Sequence, residues 1–394
     1  MLYQTPNDRN PMSRLNRFAV FVLLSVACSK AFAQREDAPL KVFGYFQNSL
    51  QHWTVFKYQP AQNSFGLQQL NLFFQKDFYR NWTAFVNFEA LNTYSSSRHW
   101  GALNLEEAWV KYNPNMKFNL KLGLQIPIFN NLNEVKNRTP LLPYIIRPLV
   151  YETSFNEFIP LEEFVPARAF VQAYGFLPVG EAKFDYAVYL GNSPNINNDP
   201  RNGQTGIDTT TAFLVGGRLG WRYRELKFGL SATHEKSNGF VNVAPLLGRP
   251  PEDLQEMPLR RWGGDLSYNL ANFSVESEVI KVEVDAGIPE VDVALDFFYT
   301  TLGYRFTPAL YGYASYWVTD VKVTVLIPGD ERTDDEDIIV STAGVSYDLN
   351  DRIRLKSQFA RVRDYDKINL VMQSVLEKQQ DKFNIWSIAV SVFF

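Results

Sequence analysis

The chain has 394 residues, of which 46% are hydrophobic, 15% aromatic and 21% charged, with a mean hydropathy of −0.21 and a net charge of −3. Abundant apolar residues diluted by polar neighbours are typical of alternating strands, in a soluble sandwich or in a membrane barrel. The weakly acidic balance excludes an electrostatic nucleic-acid binder, and no apolar run after residue 33 reaches the roughly 20 residues of a membrane helix.

Residues 1–33 are predicted to be a secretory signal peptide. Two arginines precede an apolar run over 18–27, and Ala31-Phe32-Ala33 supplies a small-x-small cleavage site. An alternative is lipoprotein processing before Cys28, the single cysteine of the chain. Cleavage after residue 33 removes four basic residues and one acidic residue, so the net charge of −3 becomes −6. The mature chain then has no cysteine for a disulfide or a thiolate.

Residues 34–394 are predicted to form one all-β domain, a transmembrane antiparallel β-barrel of about sixteen strands. Segments of about ten residues alternate apolar and polar positions, as the strands of such barrels do. In 117–126 the apolar face is Phe118, Leu120, Leu122, Leu124 and Ile126, and Lys117 and Lys121 lie on the opposite face. The predicted segments are 41–56, 65–78, 82–91, 103–112, 117–126, 166–176, 181–191, 211–222, 226–236, 260–270, 273–285, 292–305, 309–325, 337–348, 353–364 and 383–394. Fourteen or eighteen strands follow if one hairpin is misassigned.

The connections between these segments alternate in length. Every odd-numbered connection has six residues or more, whereas every even-numbered one has two to four, with turn residues such as Tyr79-Arg80-Asn81 and Asn113-Pro114-Asn115. Outer-membrane barrels have short periplasmic turns and longer external loops. The pattern therefore predicts an even number of strands with both termini in the periplasm.

The third of the long connections, 127–165, is also the longest, and it is predicted to fold into the lumen as a constriction. It contains five prolines and apolar pairs such as Leu141-Leu142 and Ile145-Ile146, so it has a packing surface of its own. Sixteen strands enclose a lumen too wide for side chains to fill, and charges on an inserted loop would face the solute. The alternative is an external flap on neighbouring loops. The basic candidates for the pore and its constriction are Lys117, Lys121, Lys136, Arg138, Arg147, Arg168, Arg354 and Lys356.

The last segment ends in Phe394, and apolar residues step back from it by twos to Trp386. A terminal phenylalanine on such a strand resembles the targeting signal of outer-membrane barrels. The resemblance implies that Trp386 and Phe394 form an assembly signal and that the barrel-assembly machinery is a partner.

Between residues 100 and 195 the chain carries several family-like motifs. The stretch Leu105-Glu106-Glu107-Ala108-Trp109-Val110-Lys111-Tyr112, the run from Leu120 to Phe129 and the strand from Tyr186 to Asn192 resemble the phosphate-selective porin O/P family. The long loops and the many asparagines and tyrosines resemble outer-membrane porins of the Bacteroidetes. These resemblances imply sixteen strands, a constricting third loop and a homotrimer.

A phosphate-selective pore needs a dense row of arginines and lysines along its lumen. Only fragments of such a row are present, and Glu89, Glu276 and Glu278 lie among them. The lumen is therefore predicted to be mixed in charge.

The sequence predicts an outer-membrane channel for passive diffusion of small hydrophilic solutes, including anions such as phosphate, in contact with membrane lipid and lipopolysaccharide. No enzyme, cofactor or metal site is predicted. Two alternatives remain. One is an outer-membrane lipase or protease built around His99 or around His234, which neighbours Glu235 and Ser231. The other is a non-conducting structural or binding barrel.

Overall fold

The computed structural model describes residues 38–55, 60–91, 102–151, 164–166, 168–193, 212–237, 257–285, 291–327, 330–366 and 379–394. Within these ranges sixteen antiparallel strands pair in chain order, and β1 pairs with β16 to close the barrel. The strands are β1 (Lys41–Trp53), β2 (Gln62–Phe78), β3 (Trp82–Leu91), β4 (Ala102–Asn115), β5 (Phe118–Gln125), β6 (Ala169–Val179), β7 (Ala182–Gly191), β8 (Leu214–Tyr223), β9 (Leu226–Ser237), β10 (Met257–Leu270), β11 (Phe273–Asp285), β12 (Val291–Arg305), β13 (Leu310–Ile327), β14 (Asp330–Asn350), β15 (Ile353–Asp366) and β16 (Gln379–Phe393).

The predicted all-β barrel of sixteen strands is confirmed. The signal peptide with Cys28 and the candidate His99 lie outside the described residues. No helix in the described part of the chain is long and apolar enough to cross a membrane.

Short turns connect the strands at one end of the barrel, which we call the turn end; the opposite end is the loop end. Tyr79, Arg224 and Ala271 adopt φ angles of 53°, 50° and 51° in these turns, the left-handed conformation that tight turns use. One predicted turn is displaced. β4 continues through the expected turn at Asn113 and ends at Asn115, because the reversal occurs at Met116-Lys117.

At the turn end the inner face of the wall is polar and the outer face apolar, as the alternation predicts. In β11 Glu278 faces inward and is buried, whereas Phe273 and Val279 face outward and are exposed. An apolar outer surface of this kind suits contact with hydrocarbon, since a charge there would cost free energy.

At the loop end of β10–β16 this polarity is reversed, which the sequence analysis did not anticipate. Ile280 and Val282 face inward and are fully buried, and Lys281 and Glu283 face outward with about half of each side chain exposed. The same inversion recurs in β12, where Leu295 faces inward and is buried. Outward charges are costly in hydrocarbon, so these strand ends extend past the apolar belt and enclose an apolar core.

The third long connection fills that core. Its described part contains three short 3-10 helices, Asn133–Val135, Thr139–Leu141 and Leu149–Tyr151. The apolar side chains that it contributes are Phe129, Leu132, Ile146, Leu149, Val150, Tyr151, Phe164 and Val165, and they pack on Ile280, Val282, Leu295, Phe297, Trp317 and Val340 of the wall. Folding of this loop into the lumen is thereby confirmed. Ile126, predicted on the outer face, follows the end of β5 and is buried inside with the loop.

Gly123 in β5 provides a test of the close backbone contact between β5 and β4. Its φ is +119°, and a Cβ at this position would lie 2.3 Å from the carbonyl oxygen of Ala108 on β4. We expect Gly123→Ala to lower the free energy of unfolding by about 2 kcal/mol or more, because the backbone must leave a conformation open to glycine only. Gly180, at φ +60° with no heavy atom within 4 Å of an added Cβ, is the matched control, with an expected cost of about 1 kcal/mol. Urea unfolding followed by tryptophan fluorescence measures both; equal effects would contradict the steric argument.

Candidate functional site: the loop inside the barrel and its charged edge

The two legs of the loop meet at one carboxylate of the wall. The backbone amides of Asn131 and Leu132 both donate to Oε1 of Glu278 at 2.8 Å, and the hydroxyl of Tyr151 donates to Oε2 at 2.6 Å. Burial beside this carboxylate raises the pKa of Tyr151, so that the phenol remains a donor at every physiological pH. Glu278 therefore ties residues 131–132 and Tyr151 of the inserted loop to one point of the wall.

The loop is also tied to β15. Oε1 of Gln358 accepts from the amides of Ile145 and Ile146 at 2.7 and 2.8 Å. Lys356 is buried and donates to the carbonyl of Thr139 at 2.8 Å and to the side chain of Gln47 on β1 at 2.7 Å. These bonds satisfy backbone groups that would otherwise be buried without partners, so this part of the loop is a fixed element of the wall.

A third set of contacts reaches β2 and β4. Gln69 of β2 donates to the carbonyl of Asn137 and accepts from the amide of Thr139 at 3.1 Å. The side chain of Asn137 donates to Glu106 of β4 at 2.9 Å. The loop therefore crosses from β11 to β2 and β4 and returns along β15, and it is bonded to the wall on each side.

Where the loop faces β4–β6, it presents a line of ion pairs that we call the charged edge. Lys121 lies 3.8 Å from Glu134, Arg138 lies 3.7 Å from Glu107, and Arg168 lies 3.1 Å from Glu106. The basic side chains remain 13% to 35% exposed, whereas Glu106 and Glu107 are each only 5% exposed. The members of these pairs that stay accessible to solvent are therefore three cations and one acid, Glu134, which is 40% exposed.

Further carboxylates and cations lie behind this edge. Glu89 of β3 is buried and accepts from Gln69 at 2.6 Å. Arg147 of the loop is also buried, and its guanidinium donates to the carbonyl of Lys136. Arg147 thus holds the loop backbone rather than facing open lumen.

The structure brings only part of the predicted candidate set together. Lys121, Lys136, Arg138, Arg147 and Arg168 lie at or behind the charged edge. Lys117 does not share a lumen face with Lys121, because it lies in the exposed turn after β4. Lys356 is buried as a clamp, and Arg354 pairs with Asp348 at 2.5 Å and donates to the carbonyl of Leu141 at 2.9 Å.

Sequence reasoning missed the acidic partners in the charged edge and the polar clamps. Glu106 and Glu107 stand in the family-like run 105–112. On a regular strand one of two adjacent glutamates would face lipid, so their adjacency was the sequence signal of a bulge. Both face inward because the pairing of β3 and β4 slips by one residue between Asn87 and Phe88, which leaves an extra residue on β4.

A second charged group lies on the inner wall of β7–β10. Arg218 is buried between Asp185 and Asp265, and it lies 2.7 Å from Asp265. The carboxylates balance the buried guanidinium, as a buried charge requires. All three residues lie on strands of the barrel, and we assign the group to the wall.

Neither of the two described histidines, His52 and His234, forms the dyad that an enzyme would need. The side chain of His234 faces outward and is exposed, whereas Ser231 and Glu235 face inward and are buried. Adjacent strand residues point to opposite faces, so His234 cannot use either group. Nδ1 of His52 lies 2.8 Å from the side chain of Asn63, and His52 is partly exposed.

No protein-family model matches the sequence, and no curated protein matches it. Solved structures resemble the fold. The outer-membrane channel DcaP of Acinetobacter baumannii is 10% identical over 92% of this chain and 99% of its own, with a TM-score of 0.59. The anion-selective porin of Comamonas acidovorans is 13% identical over 91% and 100%, with a TM-score of 0.57. A trimer form of OmpT, an outer membrane protein of Vibrio cholerae, is 11% identical over 90% and 99%, with a TM-score of 0.53.

Proposed function

We propose that this protein is an outer-membrane channel for passive diffusion of small hydrophilic solutes, with a preference for anions. The observation that carries the proposal is the charged edge, where Lys121, Arg138 and Arg168 stay partly exposed inside a closed barrel. A ring of fixed charge at a constriction sets ion selectivity. The fold that it shares with DcaP and with an anion-selective porin supports the same function.

The route follows from where the loop is packed. On the side of β10–β16 the lumen is filled by the apolar core. Charged side chains with exposed fractions of 13% to 40% occur between β4–β6 and loop residues 134–138. We assign the solute path to this sector.

The reversal potential of the purified mature protein in a planar bilayer under a salt gradient tests this proposal. We expect stepwise currents and an anion-selective potential, first with chloride and then with phosphate. The resemblance to the phosphate-selective porin O/P family supports phosphate as one solute. A cation-selective potential would reject the anion preference, and a folded barrel without current would reject the channel.

The setting of the channel is part of the same proposal. We assign residues 1–33 to a cleaved signal peptide, the apolar outer surface to lipid and lipopolysaccharide, and the native assembly to a homotrimer. The apolar outer faces of the strands and the trimer form of a protein with the same fold support these assignments. Cross-linking of intact outer membranes, resolved without heating, tests the trimer.

Phe394 lies at the end of the seam where β1 and β16 close the barrel. The amide of Phe394 donates to the carbonyl of Gly44 at 3.0 Å, and the amide of Gly44 donates to the carbonyl of Phe394 at 2.9 Å. We expect deletion of Phe394 to remove most of the folded protein from the outer membrane, because both the closing pair and the proposed assembly signal are lost. Trp386→Leu, exposed on the same strand, is expected to give a smaller loss. The heat-modifiable electrophoretic mobility of the barrel in membrane fractions measures the assembly of both variants. Normal assembly without Phe394 would contradict its role as an assembly signal.

A further inference from the structure

Aromatic side chains form a continuous row on the inner wall of β1–β4. The ring centroids are 5.2 Å apart between Tyr45 and Phe73, 5.6 Å between Phe73 and Phe85, and 4.8 Å between Phe85 and Trp109. The last two contacts are stacked, with interplanar angles of 25° and 22°. The polar inner wall therefore contains an apolar strip that leads to the charged edge.

The row ends at a cation. Nζ of Lys121 lies 4.9 Å from the ring centroid of Trp109 and 5.5 Å from that of Tyr174 on β6. Both rings are only partly buried, whereas Tyr45, Phe73 and Phe85 are less than 10% exposed. Trp109, Tyr174 and the ammonium group of Lys121, whose side chain is 13% exposed, are thus the solvent-accessible end of the row.

These groups are complementary to one class of solute. The ammonium of Lys121 and the guanidinium of Arg138 attract a carboxylate, and the parts of the two rings that stay exposed favour a flat aromatic body over an aliphatic one. Inorganic phosphate would use the cations alone, and a neutral sugar would use the rings alone. We infer that aromatic carboxylates are preferred solutes of this channel and bind in transit at Lys121, Trp109 and Tyr174. The inference rests on the proposed channel function.

The test compares benzoate with cyclohexanecarboxylate, which has the same charge and a similar size but no π face. The full mature protein is reconstituted in bilayers, and the permeability of each anion is measured relative to chloride. Equilibrium dialysis of radiolabelled benzoate against the detergent-solubilised protein measures binding separately from conduction. We expect benzoate to be favoured over cyclohexanecarboxylate on the order of threefold in both assays, the factor that an aromatic pair gives beyond its buried area.

Variants locate the effect. Trp109→Leu and Tyr174→Leu are expected to remove the discrimination while chloride current persists. Trp109 donates from Nε1 to Glu107 at 2.8 Å, so its loss also disturbs an acid of the charged edge. Tyr174→Leu leaves Glu107 and its hydrogen bond in place and removes the ring beside Lys121, since Asn119 donates to the backbone carbonyl of Tyr174. Trp262→Leu, an outward and exposed tryptophan on β10, is the matched control and should behave like the wild type.

The outcomes separate the two proposals. Chloride current without any preference for benzoate overturns the inference and leaves the channel intact. Absence of all current rejects the channel, and a benzoate preference in dialysis then still identifies the site as a binding site. Equal discrimination in wild type, Tyr174→Leu and Trp109→Leu would also overturn the inference, because the selectivity would then arise elsewhere.

Discussion

Glu278→Ala is expected to release the inserted loop, so that single-channel conductance rises and ion selectivity falls. The substitution leaves two backbone amides and the hydroxyl of Tyr151 without their acceptor in a buried site. At about 1 kcal/mol for each orphaned donor, the free energy of unfolding should fall by about 3 kcal/mol. Planar-bilayer recording measures the conductance, and urea unfolding in detergent measures the stability.

Glu276→Ala is the matched control for the loop clamp. Glu276 is two residues away on the same inner face, and it accepts from Tyr299 of the wall at 2.7 Å. Its loss removes a hydrogen bond within the wall, so we expect a stability cost of about 1 kcal/mol and wild-type conductance. If Glu278→Ala loses stability but keeps the conductance and selectivity of the wild type, the loop does not set the pore.

Charge reversal at the charged edge is expected to invert ion selectivity. Arg138→Glu and Arg168→Glu each change the charge of the solute path by two units, and each leaves a carboxylate, Glu107 or Glu106, without its cation. The double variant should shift the ratio of anion to cation permeability toward cations by roughly tenfold or more, because charged, narrow clefts concentrate counter-ions by such factors. Reversal potentials in a potassium chloride gradient give the ratio directly.

Lys117→Glu has the same change in charge but lies in an exposed turn. It should leave the reversal potential unchanged. The effect of the two arginine variants should also weaken as salt rises, since the Debye length falls from about 10 Å at 0.1 M to about 3 Å at 1 M. An unchanged potential in Arg138→Glu and Arg168→Glu, or an equal shift in Lys117→Glu, would exclude the charged edge as the selectivity determinant.

The sequence by itself determined the architecture. Alternation with period two locates strands because successive side chains point to opposite faces. The regular alternation of short and long connections then gave an even number of antiparallel strands. The apolar pairs within 127–165 indicated that this loop had to pack against something, and the lumen was the available surface. All three features are local along the chain, so they predict the architecture without knowledge of the tertiary structure.

The inverted loop end shows what local patterns could not decide. Alternation states that Ile280 and Val282 share a face, but not that this face is the inner one beside an inserted loop. An apolar inner face at the loop end is favourable only because the closed wall and the inserted loop together bury it. The outward charges Lys281 and Glu283 were the sequence signal for it, since a lipid-facing strand would not carry them.

The candidate site depended on tertiary structure for the same reason. Glu278 meets amides that lie 147 and 146 residues away, and Arg168 meets Glu106 across 62 residues. The positions of basic and acidic residues along the strands predicted a lumen of mixed charge, and the ion pairs are compatible with that prediction. Which member of each pair faces water was decided by the register of β4 and by the course of the loop. Burial of Glu106 and Glu107 behind exposed arginines is a property of that packing, because a charge's effect on a solute depends on its exposure as well as its sign.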